Sequence, residues 1–279
     1  MTTSVIVCAV FGLGLIVGSF LNVVALRYNT GRLKDALFGG GRSVCFSCGK
    51  KLKWYELIPL ASFLVQGGRC RGCHSKISWQ YPLVELFTGV VFVLVFLHET
   101  VPALAILGWI IFSILIVISV YDVKHKIIPD GLAYAFASLG LIYAILAISP
   151  SVSPLSLSSL YVIDPWNLAA GPLLFLPFFA LWYLSKGAWI GLGDGKLSLG
   201  IGWFLGLTGG ISAVVMAFWL GAIVSIFLLV IERVFRTSFM RLNMKSEIPF
   251  APFLIFCTLL VYLTGLVPTD IILWVQNLF

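Results

Sequence analysis

Eight apolar runs divide the 279 residues, and the segments between them sort every lysine and arginine of the chain onto one side. The runs are roughly 4–26, 82–97, 102–121, 132–148, 167–184, 197–208, 211–231 and 250–267. Most approach the ~20 residues that cross ~30 Å of hydrocarbon at ~1.5 Å per residue. Sixty per cent of the residues are apolar and 10% charged, where a soluble globular chain has about 45–50% and about 25%. That balance excludes a disordered chain, a secreted disulfide mini-domain and an ordinary cytosolic enzyme. The expected fold is an all-α polytopic membrane protein of about eight transmembrane helices. The first run has no basic residue before it and Arg27 directly after it. It therefore reads as an anchor with its N-terminus outside, not as a cleavable signal.

The stretch 197–231 is too long for one span, since 35 residues would rise ~52 Å. Gly209-Gly210 offers a break into a short span and a normal one. With that break, loop 27–81 carries ten Lys/Arg, loops 122–131 and 185–196 two each, and loop 232–249 four, which accounts for all 18. The positive-inside rule makes their common side cytoplasmic. The net charge of +7 is thereby explained by topology, which leaves nucleic acid without support as a partner. Contact of the basic loop with anionic lipid headgroups is consistent with it. The Ser/Pro-rich 149–160 reads as an external loop, and no internal repeat is evident.

Cys45-Phe46-Ser47-Cys48 and Cys70-Arg71-Gly72-Cys73 are two C-x2-C pairs separated by 21 residues in the large basic loop. In a reducing compartment stable disulfides are disfavoured. Four thiolates suit tetrahedral Zn²⁺, and a closed four-sulfur site is structural, with no position open to water. Cys45, Cys48, Cys70 and Cys73 are the expected metal ligands; four free thiols in a loop is the competing view. His74 follows Cys73 and could replace a ligand, although four sulfurs already fill the site. Cys8 and Cys257 lie in apolar runs and read as packing residues. The implied organisation is a first transmembrane helix at 1–26, a cytoplasmic zinc-binding domain at 27–81 and a transmembrane core at 82–279.

Asp122 directly follows one apolar run, and Asp194 sits in Gly191-Leu192-Gly193-Asp194-Gly195-Lys196 just before another. Ionisable groups at the bilayer edge are costly and point to function. The charge-derived topology puts both on the same side, so they can meet although 71 residues lie between them. Two close carboxyl groups share a proton, so one can accept from water while the other donates to a peptide carbonyl. That is aspartic-protease chemistry. The competing view of Asp194 is a helix cap; Asp122, at the unfavourable end of its helix, is poorly explained that way. Asp130, after Pro129, reads as the N-cap of the next span.

The ordered set of motifs resembles the type IV prepilin peptidases, bifunctional leader peptidase/N-methyltransferases of bacterial membranes. It runs from Gly18-Ser19-Phe20-Leu21-Asn22-Val23-Val24 and Arg27 through the two Cys pairs with Ile58-Pro59-Leu60-Ala61-Ser62 between them. It continues through Tyr81-Pro82-Leu83-Val84-Glu85, Tyr121-Asp122, Ile128-Pro129-Asp130, Gly193-Asp194 with Lys196-Leu197, and Ile248-Pro249-Phe250-Ala251-Pro252-Phe253. The resemblance implies an eight-span GxGD-type aspartic protease of the inner membrane, with the zinc loop and active site on the cytoplasmic face. It assigns the catalytic pair to Asp122 and Asp194 and the zinc-binding domain to Cys45, Cys48, Cys70 and Cys73. Its substrates would be prepilins or pseudopilins, cut after Gly at the end of a basic leader. A second reaction would methylate the new amino terminus with S-adenosylmethionine. The chain departs from the family pattern at Leu57, where Asn is usual, at Tyr28-Asn29, where Pro is usual, and at Gly195, where Val or Ile is usual.

Gly14 and Gly18, four apart, read as a close-packing face rather than part of a dinucleotide fingerprint, because no strand precedes them. Asn22 and Glu85 read either as functional groups or as polar contacts between helices. Two other functions fit the same residues. One is a peptidase without methyltransferase activity, and the other is a non-enzymatic scaffold whose zinc knuckle binds partners.

Overall fold

A computed structural model describes residues 2–28, 43–147, 165–235 and 249–266. Arg32, Lys34, Arg42, Arg236, Arg241, Lys245 and the expected external loop 149–160 lie outside the described residues. Among the described residues eight α-helices follow in chain order: α1 (Thr2–Arg27), α2 (Ala61–Val65), α3 (Gln80–His98), α4 (Pro102–His125), α5 (Asp130–Ala147), α6 (Pro165–Ser185), α7 (Leu192–Phe235) and α8 (Ala251–Thr264). A 3-10 turn, Trp54–Leu57, precedes α2. Among the described residues there is no strand longer than an isolated bridge. Six helices among the described residues are long and apolar enough to cross a membrane, and α8 is a shorter apolar helix. The protein is an all-α, multi-pass membrane protein.

The chain divides into two compact units, Met1–Val117 and Ile118–Phe279. In the first, α1 packs on α3 through small residues. A Cβ at Gly14 would lie 2.7 Å from the Gly89 Cα, and one at Gly18 would lie 2.8 Å from the Glu85 Cα. In lipid the tails are as apolar as leucine, so such close backbone approach replaces the hydrophobic effect as the cause of association. The first turns of the contact are polar. Asn22, fully buried, donates from Nδ2 to the Gly18 and Tyr81 carbonyls at 3.3 and 3.2 Å. Trp109 of α4 stacks on Phe92 at 5.2 Å and donates its indole N–H to the Phe92 carbonyl at 2.9 Å.

In the second unit α7 is not one rod. Gly206 adopts φ 74 and ψ 179, a backbone region that is essentially glycine-only. A Cβ on Gly210 would lie 3.4 Å from the Gly202 Cα, whereas eight residues of straight helix separate two positions by about 12 Å. The halves 192–205 and 207–235 therefore fold back on each other. The expected break is present, but at Gly206 rather than Gly209-Gly210. The latter pair remains helical and serves packing, with Gly210 against Leu174. The first half of α7 is held closely on both sides: a Cβ at Gly200 would collide with Phe136 of α5 at 2.5 Å, and one at Gly202 with the Ala170 carbonyl of α6 at 2.5 Å. Phe204 joins it to Tyr143 of α5 at 4.8 Å and to Tyr262 of α8 at 5.1 Å.

Gly12 has nothing within 4 Å of its added Cβ, whereas Gly14 meets backbone. Gly14→Ala should destabilise the α1–α3 pair by about 1–3 kcal/mol, the range for overpacking. Gly12→Ala should be close to neutral. Thermal unfolding of both variants in detergent micelles checks the contrast.

Candidate acid-pair site and metal centre

Asp122 lies near the C-terminal end of α4 and is 5% exposed. Its Oδ2 accepts the backbone N–H of Ala251 at 3.2 Å. Ala251 opens α8, and Pro252 follows with no N–H to compete. The carboxyl group unfavourably placed by its own helix is thus supported by the N-terminus of another, where backbone N–H groups favour negative charge. Asp194 is half-buried in the first turn of α7, again at a helix N-terminus.

The glycines around Asp194 place it. A Cβ at Gly193 would lie 2.9 Å from the Ile128 Cβ, so glycine there lets the start of α7 press on the turn between α4 and α5. At Gly195 the space a Cβ would need is filled by Phe178 at 3.2 Å and Phe175 at 3.3 Å. This chain's departure from the usual Val or Ile is therefore matched by two phenylalanines of α6. Gly191 has no such crowding.

Asp122 and Asp194 line one cavity of about 650 Å³, together with Lys126, Lys196, Phe218 and Phe250. The two carboxyl groups lie within electrostatic reach of each other. Lys196, two residues beyond Asp194, donates from Nζ to Asp130 Oδ1 at 2.6 Å and lies over the Tyr134 ring at 5.3 Å. Asp130 is the first residue of α5 rather than the N-cap expected from the sequence. The amides of Leu132 and Ala133 bond to the Pro129 carbonyl, and the Asp130 carboxylate holds Lys196 instead. The Lys196–Asp130 pair had no signal in sequence beyond their charges, because 66 residues separate them.

In the first unit the sulfurs of Cys45, Cys48, Cys70 and Cys73 all lie within 4.8 Å of one another. The Cys45–Cys73 separation is 3.9 Å, and a zinc tetrahedron with Zn–S of ~2.3 Å has edges of about 3.8 Å. The four residues fit such an ion. Backbone N–H groups of Cys48 and Ser47 lower the Cys45 thiol to about 6, and the Ser75 hydroxyl and N–H hold Cys73 below its usual value. Cys48 keeps a Lys50 N–H, yet the sulfurs of Cys73 and Cys45 push it up to about 11. A dication relieves that crowding of negative charge.

The two knuckles are built alike, shifted by 25 residues. Val44 bridges Lys51 as Arg69 bridges Lys76. The amides of Cys45 and Gly49 bond to Lys50 and Cys45 carbonyls, as those of Cys70 and His74 bond to Ser75 and Cys70. Gly49 and His74 share the turn position at φ 69 and φ 57. His74 thus closes a turn, and the repeat missed in sequence is this C-x2-C-x2-Lys unit. Gly72 lets the knuckles meet, since its Cβ would touch the Lys50 side chain at 3.1 Å. Glu56 is buried and accepts the Lys53 N–H at 2.9 Å and Lys50 Nζ at 3.1 Å. Those donors, Lys53 first, hold its carboxyl below the usual range.

A multi-span helical protein with two acids on one cavity and a four-cysteine centre is the class that fold and sites define. Residues 12–99 match the Bacterial Peptidase A24 N-terminal domain, and residues 109–226 match the Type IV leader peptidase family. The chain belongs to the type IV leader peptidase family. It is 34% identical to the "Type 4 prepilin-like proteins leader peptide-processing enzyme" of Escherichia coli O78:H11 over 69% of this chain and 74% of that one. It is 30% identical to the "Prepilin leader peptidase/N-methyltransferase" of Bacillus subtilis over 91% of this chain and 93% of that one. The protein of the same name from Myxococcus xanthus is 44% identical, with 43% of this chain aligned to 34% of the relative's length. No solved structure matches the chain.

Purified protein should carry one zinc per chain, and Cys48→Ser or Cys73→Ser should lose it while the helical circular dichroism persists; elemental analysis reads the stoichiometry. Glu56 has a depressed folded value, so its stabilisation of the knuckle loop is complete above the unfolded value of about 4.3. It is lost as pH falls through the folded value. Zinc retention in Glu56→Gln should therefore trail wild type at neutral pH and converge with it in acid.

Proposed function

We propose that the chain is a prepilin leader peptidase and N-methyltransferase, with Asp122 and Asp194 as its catalytic pair. The observation that carries this is that carboxyl groups from separate helices line one cavity, each at a helix N-terminus. The pair titrates as a unit and neither member has a fixed role. The ionised member takes a proton from water, whose oxygen bonds to the peptide carbonyl carbon after Gly. The protonated member donates to the carbonyl oxygen. Collapse of the tetrahedral species breaks the C–N bond, and the leaving amine takes up a proton. No covalent enzyme intermediate forms. The Phe218 and Phe250 walls of the cavity suit an apolar segment next to the cut.

The substrate class is a prepilin or pseudopilin with a short basic leader and an apolar helix. The second reaction, methyl transfer from S-adenosylmethionine to the new amino terminus, is supported by the names of the relatives. Zinc held by Cys45, Cys48, Cys70 and Cys73 would fix the shape of the loop and activate no water. The assignment of all 18 Lys and Arg to one side supports an inner-membrane protein with the zinc-binding region 27–81 and the acid pair cytoplasmic, and 82–279 as the peptidase core.

Asp122→Asn and Asp194→Asn should each lower cleavage of a membrane-embedded prepilin by at least about 10²–10⁴-fold, the contribution of a positioned acid or base. Normal cleavage by either variant in proteoliposomes would refute the pair. Mass measurement of the product with and without S-adenosylmethionine reads the second activity separately.

A further inference from the structure

Between the two knuckles runs an uncharged segment, Leu57-Ile58-Pro59-Leu60-Ala61-Ser62-Phe63-Leu64-Val65, that exposes four large apolar side chains. Leu64 is 75% exposed and Val65 73%, with Leu57 and Ile58 also exposed. Such a surface is unfavourable in a water-facing loop. Its backbone is nonetheless satisfied in the way that lipid demands. The amides of Ser62, Leu64 and Gln66 bond to the carbonyls of Ile58, Leu60 and Ser62 at 3.0 Å each. Leu60 breaks the run at φ 56, and its N–H goes to Glu85 Oε2 at 2.9 Å.

Glu85 sets the depth. It lies in the second turn of α3 and is buried. Side chains on a helix tilt towards its N-terminus, so the carboxylate that holds Leu60 is level with the first turn of a membrane span. Phe63 packs on Trp79 at 4.9 Å. Trp79 immediately precedes α3 and is 68% exposed, a position typical of the aromatic belt at the lipid headgroups. The apolar face continues along α3 through exposed Leu83, Leu86 and Phe87. Lys50, Lys51 and Lys53 precede the segment, and Arg69, Arg71 and Lys76 follow it, which complements anionic headgroups.

We infer that Leu57–Val65 is an interfacial element seated in the headgroup–acyl boundary of the leaflet on the knuckles' side, with Glu85 as the buried acceptor that lets its backbone leave water. The four-cysteine module is thereby fastened to the bilayer at a second place besides its two flanking helices. This requires only that the chain spans a membrane, and it is independent of the acid-pair chemistry.

The test uses full-length protein in nanodiscs of phosphatidylethanolamine and phosphatidylglycerol, with a photoreactive benzophenone amino acid replacing Leu64, Val65 or, as a control at headgroup level outside the acyl region, the exposed Lys51. Mass spectrometry after illumination should find acyl-chain adducts at 64 and 65 at least ten-fold above those at 51. Equal yields at all three positions, or no lipid adduct at 64 and 65, would overturn the inference. With the probe at 64, Glu85→Leu should cut the adduct yield several-fold, whereas Glu85→Gln, which keeps an acceptor oxygen, should retain it. Unchanged yield in Glu85→Leu, with zinc content intact, would remove Glu85 from the account. A Glu85→Leu protein that fails to fold leaves the comparison of positions 64, 65 and 51 to decide.

Discussion

Close approach of backbone to backbone is the constraint on which this structure depends. In hydrocarbon nothing drives apolar helices together except the contacts they make. The contacts here occur where a single methyl group would not fit: backbone on backbone for Gly14 on Gly89, Gly140 on the Gly200 carbonyl and Gly202 on Ala170, and backbone on side chain for Gly193 on Ile128. The last of these is also the step that brings Asp194 to the turn after Asp122. Packing and chemistry share residues at that point. A larger side chain at Gly193 would displace the acid with the helix that carries it.

The electrostatics follow from the same geometry. Carboxyl groups are expensive near lipid, and neither acid is held by a cation in a direct ion pair among the described residues. The Ala251 amide at the start of α8 does this for Asp122, and Asp194 lies in the first turn of α7. Lys196, the nearest cation in sequence to Asp194, is occupied by Asp130.

Much of this was legible because membranes enforce simple rules. Apolar run length located the helices, and Lys/Arg placement put Asp122 and Asp194 on one side before any coordinates. The unfavourable helix dipole at Asp122 spoke against a capping role, and its carboxyl group meets the N-terminus of α8 instead. Other features depended on conformation and left weaker traces. Gly206, Gly209 and Gly210 are indistinguishable by composition, and only backbone angles show which one turns the chain. Asp130 sits where a cap belongs, yet a distant lysine claims it. The 25-residue repeat of the knuckles hides because Gly49 and His74 share a left-handed turn but no chemistry. Glu85 and Asn22 make polar contacts between elements, Glu85 to Leu60 and Asn22 to the α1 and α3 carbonyls.

The turn at Gly206 leaves the first half of α7 only 14 residues long, the length of α8 as well. Each rises about 21 Å, some 9 Å less than the thickness of a hydrocarbon core. Both begin at the cavity. Helices this short oblige the bilayer to thin around them or admit solvent above them. A peptide bond brought to that cavity at the end of a lipid-buried helix would meet water in a shallow dimple of the membrane while the helix itself stays in the oil.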